Sequence, residues 1–356
     1  MSGIGVALLG YGLAGSVFHA PLISVTPGLE LRAIVTGNPE RRARATADFP
    51  DARLLPDAGA LWEDHAGIGL AVVATPNHLH APQAISALER GLAVVVDKPM
   101  ALSTAEASSM LAAAARTGGV LAIFHNRRWD SDFLLLREMV SGDRLGGLLR
   151  VEARFERFVP EVRRGSWREQ SRPEAGGGLL LDLGSHLIDQ ALLLLGPAEG
   201  VYAEISSVRA GGAADDDCFV ALSFPGGAHA HLWMTNLAPS AGPRWRAWGR
   251  RAALEVWGLD PQETYVRAGG HPGDPQFGEP DGSQRAVLTA GDGGAAEEVR
   301  LPAGRSGDFY AGVAAAIRGE GPVPVPGQAG WDVLAVVEAA RLSATTGRVV
   351  RPAAPG

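Results

Sequence analysis

The sequence has one cysteine, no long basic run and no uninterrupted apolar stretch of membrane-spanning length. Because Cys218 has no second cysteine to pair with, an intrachain disulfide is excluded and a reducing compartment is expected. We interpret Cys218 as a small buried residue of a strand. Met1-Ser2-Gly3 leads directly into an apolar run, without the basic flank of a signal peptide. These absences predict a cytoplasmic protein.

Charge and length narrow the class of protein further. The formal net charge of −7 is spread thinly over 356 residues, whereas a surface that binds nucleic acid needs clustered cations. Neither nucleic acid nor a membrane is therefore expected as a partner. Hydrophobic residues make up 46% and charged residues 20%, which is a soluble globular balance, and the length predicts two domains.

A glycine-rich turn lies close to the start of the chain. Ile4–Leu9 is an apolar run of strand length, and a segment of helical character follows the turn. Gly10 would allow a sharp turn, Gly12 a close approach of backbone N–H groups to a pyrophosphate, and Gly15 tight packing of helix on strand. The helix N-terminus would add partial positive charge. The turn, which also contains Leu13 and Ala14, predicts a dinucleotide site.

The end of the second predicted strand, Leu29–Val35, bears on which dinucleotide binds. NAD sites place a carboxylate there to accept hydrogen bonds from the ribose 2′-hydroxyl. This chain has Thr36 and Asn38 instead, with Arg41 just beyond. A hydroxyl, an amide and a guanidinium suit a 2′-phosphate, so NADP is favoured and NAD stays open. The alternative is that Arg41 and its neighbour Arg42 only decorate the solvent face of a helix.

Apolar strands alternate with helices up to residue 124, a pattern typical of a doubly wound parallel sheet. Ligands of such sheets lie outside the carboxyl ends of the strands. The residues expected there, and predicted to bind the cofactor, are Thr75, Pro76, Asn77, His80, Asp97, Lys98 and Asn126. Lys98 could also place a cation beside a developing alkoxide.

Beyond residue 124 the strands alternate apolar and polar side chains, as Val151, Ala153 and Phe155 do with their charged neighbours. We predict a first domain at 1–124 and, at 125–356, an α+β domain with a large, mostly antiparallel, open-faced sheet. The C-terminal helices could instead pack back on the first domain. Residues 258–305 are interpreted as long loops with at most one short strand pair. Tryptophans and apolar groups on the open face predict a homodimer or homotetramer, unless those tryptophans are ordinary core residues.

One predicted helix carries ionisable groups among leucines. Asp182, His186 and Asp189 stand at i, i+4 and i+7, which places two carboxylates and an imidazole on one helical face. Burying such groups is costly without a purpose, so we predict that all three contact substrate. A core histidine held by a neighbouring aspartate is the alternative. No metal is expected, because no further His or Cys stands at ligand spacing.

Two further clusters combine guanidinium and carboxylate groups with tryptophan. They comprise His125–Asp130 and, later in the chain, Arg163, Arg164, Trp167 and Arg168. Such groups suit a polyhydroxylated substrate or cofactor phosphates. We therefore predict that Arg127 and Trp129 bind substrate and that Trp167 and Arg168 bind cofactor. Structural ion pairing would explain about half of these residues equally well.

Together these motifs resemble the Gfo/Idh/MocA family, named after glucose–fructose oxidoreductase and inositol dehydrogenase. The resemblance covers essentially the whole chain. It is carried by Gly10-Tyr11-Gly12-Leu13-Ala14-Gly15, Phe18-His19-Ala20-Pro21, Asp97-Lys98-Pro99 and the segment from Asp182 to Asp189. His125–Asp130 and Trp167-Arg168-Glu169 further resemble the branch with NADP-dependent scyllo-inositol dehydrogenases.

The resemblance implies a Rossmann domain, an open-faced α/β domain and assembly through the open sheet. It also implies that Lys98 is the catalytic lysine, His186 the catalytic histidine and Asp182 an assisting aspartate. One residue departs from the family pattern, which usually reads Glu-Lys-Pro, because Asp97 stands first here. We expect this shorter carboxylate to tune how Lys98 and the nicotinamide ribose are held.

The sequence thus predicts an NADP-preferring oxidoreductase that interconverts a secondary alcohol and a ketone on a cyclic polyol or sugar. His186 would act as general base and acid, Lys98 would stabilise the oxygen, and Asp182 would position Lys98 or a substrate hydroxyl. Two alternatives stay open. One is a non-catalytic dinucleotide sensor that controls a partner protein, and the other is a glycosidase that retains its nicotinamide cofactor.

Overall fold

The computed structural model describes residues 3–162 and 171–354, which divide into two compact units. The first unit contains the chain up to Asn126, together with Gln262–Phe277 and Arg305–Trp331. The second contains the described parts of Arg127–Pro261, Gly278–Gly304 and the chain from Asp332 onward. Two late segments of the chain therefore belong to the N-terminal unit. Within the described residues, no helix is long and apolar enough to cross a membrane.

The first unit is built on a six-stranded parallel sheet with the order β3-β2-β1-β4-β5-β6. Its strands are β1 Ile4–Leu9, β2 Leu29–Val35, β3 Arg53–Leu55, β4 Leu70–Val73, β5 Ala93–Asp97 and β6 Leu121–Phe124. Most of these strands are apolar along their whole length because helices connect them on both faces of a parallel sheet. The strand order reverses between β1 and β4, where ligands of such sheets bind.

Helices of the first unit follow the strands as the sequence predicts. They are the π-helix Ala14–His19 and the α-helices Ala20–Val25, Pro39–Asp48, Ala58–Glu63, His80–Leu88 and Thr104–Thr117. The late segments add Gln262–Arg267, Gly307–Ile317 and the first turn of Gly327–Thr346. The short helix Gln262–Arg267 lies in the region predicted to hold long loops with at most one short strand pair, and the strand Arg53–Leu55 was not predicted. Both elements are too short for hydrophobic periodicity to reveal them.

The second unit is built on an eight-stranded sheet with the order β14-β13-β12-β11-β7-β10-β9-β8. Its strands are β7 Leu148–Glu156, β8 Gly200–Ser206, β9 Asp217–Ser223, β10 His229–Thr235, β11 Trp245–Gly249, β12 Ala252–Trp257, β13 Arg285–Ala290 and β14 Ala296–Val299. Within the described part of this eight-stranded sheet, β7 and β10 are the only neighbours that pair in parallel. The predicted combination of a parallel sheet and a mostly antiparallel one is confirmed.

Described helices of the second unit contact β7 and β10 on one face of this sheet, and we call the opposite face, which carries half-buried side chains, the open face. The described helices are Ser131–Ser141, the π-helix Leu180–Gly184, Ser185–Leu195 and most of Gly327–Thr346. Side chains of β10 alternate accordingly: Leu232 and Met234 are fully buried, whereas His231 and Trp233 are half-buried. Cys218 is buried in β9, as expected.

The open face carries tryptophans and other aromatic rings, as expected, but arginines cover two of the tryptophan rings. The ring of Trp233 is covered by the Arg154 guanidinium at 4.2 Å, and that of Trp257 by Arg285 at 4.4 Å. Trp245 belongs to the other face, where it is fully buried. Cross-strand pairing explains the pattern, because β7 and β13 present arginines beside the aromatic residues of their neighbours.

Candidate active site

The three glycines of the turn after β1 have different structural roles. Gly10 has φ +99°, and a Cβ there would lie 2.3 Å from the Ala74 carbonyl oxygen. A Cβ on Gly15 would lie 2.1 Å from the Gly10 carbonyl oxygen. A Cβ on Gly12 would instead meet only the Arg41 guanidinium, at 3.7 Å. Gly10 and Gly15 are therefore required by the fold itself. At Gly12 the lack of a side chain leaves open space beside the Arg41 guanidinium, and we call this space in the glycine turn the cradle.

The two neighbouring arginines after β2, Arg41 and Arg42, make different contacts. Asn38 caps the helix Pro39–Asp48, since its Oδ1 accepts a hydrogen bond of 2.9 Å from the Arg41 backbone N–H. Arg42 donates to the carbonyl oxygen of the buried Thr36 at 3.3 Å. Arg41 is exposed and extends toward Gly12. Arg41 is thus the cation of this pair beside the glycine turn.

The turns after β4 and β5 are joined by His80. Its Nδ1 lies 2.8 Å from the Pro99 carbonyl oxygen, and its Nε2 lies 2.9 Å from that of Thr75. The Thr75 hydroxyl donates to Gln83 Oε1 at 2.7 Å. Burial lowers the pKa of His80, against the opposing effects of Asp97 and the two carbonyl groups. His80 therefore links the Thr75-Pro76-Asn77 turn to the Asp97-Lys98-Pro99 turn.

Asp97 ends β5 and lies beside Lys98 in the first unit. Its Oδ1 accepts a hydrogen bond of 2.9 Å from the Lys98 backbone N–H. Burial raises the pKa of Asp97, but His19, Lys98 and His80 outweigh this and hold it below its usual value. An ionised carboxylate therefore accompanies the Lys98 cation at the carboxyl end of the parallel sheet.

In the second unit, the helix that carries Asp182 begins at a capped turn. Asp215 Oδ2 accepts a hydrogen bond of 2.7 Å from the Leu180 backbone N–H. Gly178 has φ +99°, and a Cβ there would lie 2.0 Å from Asp215 Oδ1. The first segment, Leu180–Gly184, is a π-helix, and the α-helix Ser185–Leu195 follows. Asp182 therefore lies on a π-helical turn and His186 on the α-helix that follows it, where the sequence predicted one helix.

His186 is buried in a cationic and aromatic environment. Its ring lies 6.4 Å from that of Phe155, in an edge-on arrangement. The guanidinium groups of Arg127 and Arg244 lie over the same Phe155 ring, at 5.1 Å and 4.2 Å from its centroid. Two cations therefore share the aromatic residue that His186 contacts.

The helix after His186 is tied to the segment that starts at Arg127. Asp189 receives two hydrogen bonds from Arg128, at 2.6 Å and 2.8 Å. The Gln190 amide donates to the Arg127 carbonyl oxygen at 2.8 Å, and Arg244 donates to Gln190 Oε1 at 3.1 Å. Asp189 thus has a structural partner, and a contact between Asp189 and substrate stays a prediction.

Other predicted residues can be placed within their own units. Asn77 is buried at the start of a 3₁₀ turn after β4, and Asn126 begins the 3₁₀ turn that ends at Trp129. Arg127 pairs with Asp130 at 3.0 Å. Among the described residues, no group of three or more His, Cys, Asp or Glu side chains could hold a metal ion. A further set lies outside the described residues, namely Arg163, Arg164, Trp167 and Arg168.

Comparison with known proteins identifies the family. Residues 4–125 match the GFO_IDH_MocA oxidoreductase family model for an NAD-binding Rossmann fold. Residues 137–351 match the model of the same family for its C-terminal alpha/beta domain. The chain belongs to the Gfo/Idh/MocA family. It is therefore an oxidoreductase with an NAD-binding Rossmann domain, and the predicted family resemblance is confirmed.

Several members of the family are similar over almost their whole length. The uncharacterized oxidoreductase YdgJ of Escherichia coli (strain K12) is 36% identical, over 94% of each chain. The scyllo-inositol 2-dehydrogenase (NADP(+)) IolW of Bacillus subtilis (strain 168) is 33% identical, over 98% of this chain and 95% of that one. The solved structure of the oxidoreductase yvaA from Bacillus subtilis has a TM-score of 0.92 and 32% identity, over 98% of each chain.

A nicotinamide dinucleotide fits the cradle of this Gfo/Idh/MocA protein. The open space at Gly12 admits the close approach of a phosphate, and Arg41 supplies positive charge beside it. Sequence reasoning found both residues. It missed the cap from Asp215 and the stacking of Arg244 on Phe155, which join positions far apart in the chain. The run of acidic residues at 215–217 was the only local signal for the cap.

Proposed function

We propose that this oxidoreductase interconverts a secondary alcohol and a ketone on a cyclic polyol or sugar and prefers NADP to NAD. The observation that carries the cofactor choice is the position of Arg41 beside Gly12, together with the lack of a carboxylate at Thr36-Gly37-Asn38. A carboxylate there would repel a 2′-phosphate, whereas a guanidinium forms charge-assisted hydrogen bonds with it. The similarity to IolW, a scyllo-inositol 2-dehydrogenase that uses NADP(+), supports the same dinucleotide and the polyol class.

The dinucleotide would be held by the glycine turn and by residues at the carboxyl ends of the strands. These residues are Gly10, Gly12, Leu13, Ala14, Gly15, Thr36, Asn38, Arg41, Thr75, Pro76, Asn77, His80, Asp97 and Asn126, with Trp167 and Arg168 also assigned to it from the sequence. When bound, it supplies the hydride acceptor for oxidation and the hydride donor for reduction.

The proton chemistry is assigned to side chains of this chain. His186 takes the hydroxyl proton during oxidation and returns it during reduction, since an imidazole titrates near neutral pH. Lys98 donates a hydrogen bond to the reacting oxygen and stabilises its negative charge. Asp182 orients a substrate hydroxyl, while Arg127 and Trp129 bind the remainder of the ring. These roles rest on the family resemblance, and on the burial of His186 and the strand-end position of Lys98 within their own units.

The proposal is tested by turnover of the purified protein with NADP or NAD across inositols, aldoses and their keto forms. Absorbance of the reduced nicotinamide reports the reaction. We expect NADP-linked turnover of at least one polyol, and a loss of about a hundredfold or more in kcat for His186→Ala. Tight NADPH binding without turnover on the whole panel would favour the sensor. Hydrolysis of an aryl glycoside with no net cofactor change would favour the glycosidase.

We also propose that the open sheet face of the second unit binds a second copy of this chain. Aromatic rings covered by arginines, with acidic residues such as Glu152 and Glu255 on neighbouring strands, give this face charges of both signs. Trp233→Glu is expected to produce a smaller particle in sedimentation velocity. Trp62→Glu is the matched control, because Trp62 also lies beneath an arginine but in the first unit. Equal particle sizes for wild type and Trp233→Glu would exclude this face.

A further inference from the structure

A buried pair in the first unit, Tyr310 and His19, has no role in the chemistry described above. The Tyr310 hydroxyl oxygen lies 2.6 Å from His19 Nδ1, and both side chains are fully buried. The rings of Phe124 and Phe309 enclose the pair, with the centroid of Phe124 at 4.2 Å from that of His19. Hydrogen-bonding groups buried this deeply need partners, so their arrangement has energetic consequences.

The contact between Tyr310 and His19 selects one imidazole tautomer. Burial and the Asp97 charge raise the pKa of Tyr310 well above its usual value, so its hydroxyl stays protonated. A protonated hydroxyl can donate or accept, and the Asp97 carboxylate decides between the two, because it favours a proton rather than a lone pair on the nearby Nε2. Nδ1 therefore carries the lone pair and accepts a hydrogen bond from the Tyr310 hydroxyl. In a neutral imidazole the remaining proton is on Nε2. Tyr310 and Asp97 together therefore make Nε2 the donor atom of His19.

His19 Nε2 faces Asp97. It lies 3.8 Å from Asp97 Oδ1, beyond hydrogen-bonding distance, and has no hydrogen-bond partner among the described residues. The other titratable groups that act on Asp97 are Lys98 next to it, His80 on a neighbouring helix and Tyr310 itself. A glutamate at this position would be longer by one methylene, about 1.5 Å, which is enough to close the gap to His19.

We propose that Tyr310 and His19 are positioning residues that keep the Asp97 carboxylate ionised and oriented beside Lys98. Tyr310 orients the imidazole, and the Nε2–H dipole stabilises the negative charge of Asp97. The carboxylate accepts the hydrogen bond of the Lys98 backbone N–H and so fixes the residue whose ammonium stabilises the reacting oxygen. This inference rests on the role of Lys98 in the proposed function. It adds two residues that contact neither substrate nor cofactor.

Two substitutions of His19 separate its two hydrogen-bonding positions. Gln places an amide N–H near the position of Nε2, whereas Asn places its amide near the position of Nδ1. His19→Gln therefore retains a donor toward Asp97, and His19→Asn loses it. Tyr310→Phe keeps the ring packing of the core and removes only the hydroxyl. It therefore tests whether the contact between that hydroxyl and Nδ1 sets the tautomer of His19.

The primary measurement is NMR of the full-length protein and does not depend on turnover. The imidazole nitrogen shifts of His19 should show a protonated Nε2 in wild type and a mixture of tautomers in Tyr310→Phe. The carboxyl-carbon shift of Asp97, assigned with Asp97→Asn, should titrate at a higher pH in His19→Asn by about one pH unit. In His19→Gln it should stay within about half a unit of wild type.

The pH profile of kcat/KM gives the functional measurement. The acid limb should have two steps, the upper one from the proposed general base and the lower one from Asp97. The midpoint of the lower step should rise in His19→Asn and Tyr310→Phe and return toward wild type in His19→Gln, which a purely structural role would not produce. Asp97→Glu should lower the midpoint, but not when combined with His19→Asn. A protonated Nδ1 in wild type, or equal Asp97 titration in both His19 variants, would overturn the proposal. Lack of turnover with the expected NMR result would overturn only the proposed function.

Discussion

Arg128 and Asp189 form a buried bidentate ion pair in the second unit. Arg128 Nε lies 2.8 Å from Asp189 Oδ2, and its Nη2 lies 2.6 Å from Oδ1, with side chains 11% and 3% exposed. Asp189 follows His186 by three residues on the same helix, so the two share a face. The pair therefore fixes the helix that carries the proposed acid–base residue.

Removal of Arg128 from this ion pair should lower the stability of the second unit. Arg128→Ala leaves the Asp189 carboxylate buried without its guanidinium, which we expect to reduce the free energy of unfolding by about 3–5 kcal/mol. Arg128→Lys should cost less but still be measurable, because an ammonium cannot form both hydrogen bonds in one plane. Urea denaturation provides the measurement.

The matched control for this pair is Arg53→Ala. Arg53 pairs with Asp64 at 2.5 Å, but the two side chains are 41% and 60% exposed. Water replaces such a contact, so the expected cost is about 0–1 kcal/mol. If both arginine variants cost the same, the buried pair does not stabilise the helix in the way inferred here.

Substitutions at two glycines of the turn should have different effects, one on stability and the other on cofactor binding. Gly15→Ala places a Cβ 2.1 Å from the Gly10 carbonyl oxygen, so we expect a lower melting temperature. Gly12→Ala meets only the movable Arg41 side chain, at 3.7 Å, so its melting temperature should stay near that of wild type. Its Kd for NADPH should nevertheless rise, because the Cβ fills the cradle. Normal NADPH affinity in Gly12→Ala would show that the phosphates bind elsewhere.

Arg41 and Arg42 should differ in their effect on cofactor choice. Loss of a charge-assisted hydrogen bond to the 2′-phosphate in Arg41→Ala should raise the Kd for NADPH about ten- to a hundredfold and leave that for NADH nearly unchanged. Arg42→Ala is the control, since Arg42 donates to the Thr36 carbonyl oxygen. Isothermal titration with both dinucleotides gives the comparison. A larger loss in Arg42→Ala would reverse the assignment.

A buried carboxyl group of the second unit should make stability depend on pH. Burial, opposed by Arg127 and reinforced by Asp260 and Asp132, raises the pKa of Asp130 to about 8. Because this pKa exceeds that of the unfolded chain, the folded state retains a proton that the unfolded state loses. The free energy of unfolding therefore falls as pH rises from about 4 to about 8, by at most about 1.4 kcal/mol per pH unit.

Asp130→Asn should remove this contribution and flatten the dependence. Urea denaturation at several pH values measures the slope for wild type and variant. The same substitution at the exposed Asp292 is the matched control. An unchanged slope in Asp130→Asn would mean that Asp130 is ionised throughout this range and that its pair with Arg127 outweighs burial.

Local sequence patterns predicted the sites that depend on short stretches of chain. The apolar run Ile4–Leu9 and the glycines after it are adjacent in sequence, so the cradle could be located before the structure was known. The strand-end position of Lys98 followed from the same alternation of strands and helices. The segment from Asp182 to Asp189 was recognised too, although the π-helical turn Leu180–Gly184 was not, because a widened turn has no periodic signal.

The sequence by itself determined the parallel sheet of the first unit, its dinucleotide cradle and the family, because these depend on hydrophobic periodicity and on glycines only a few positions apart. Only the tertiary structure decided which groups those residues contact. It brings Tyr310 to His19 across 291 positions and Arg128 to Asp189 across 61. Such contacts result from packing in a dense interior, where buried polar groups must find partners wherever the fold places them, and no local pattern records that choice.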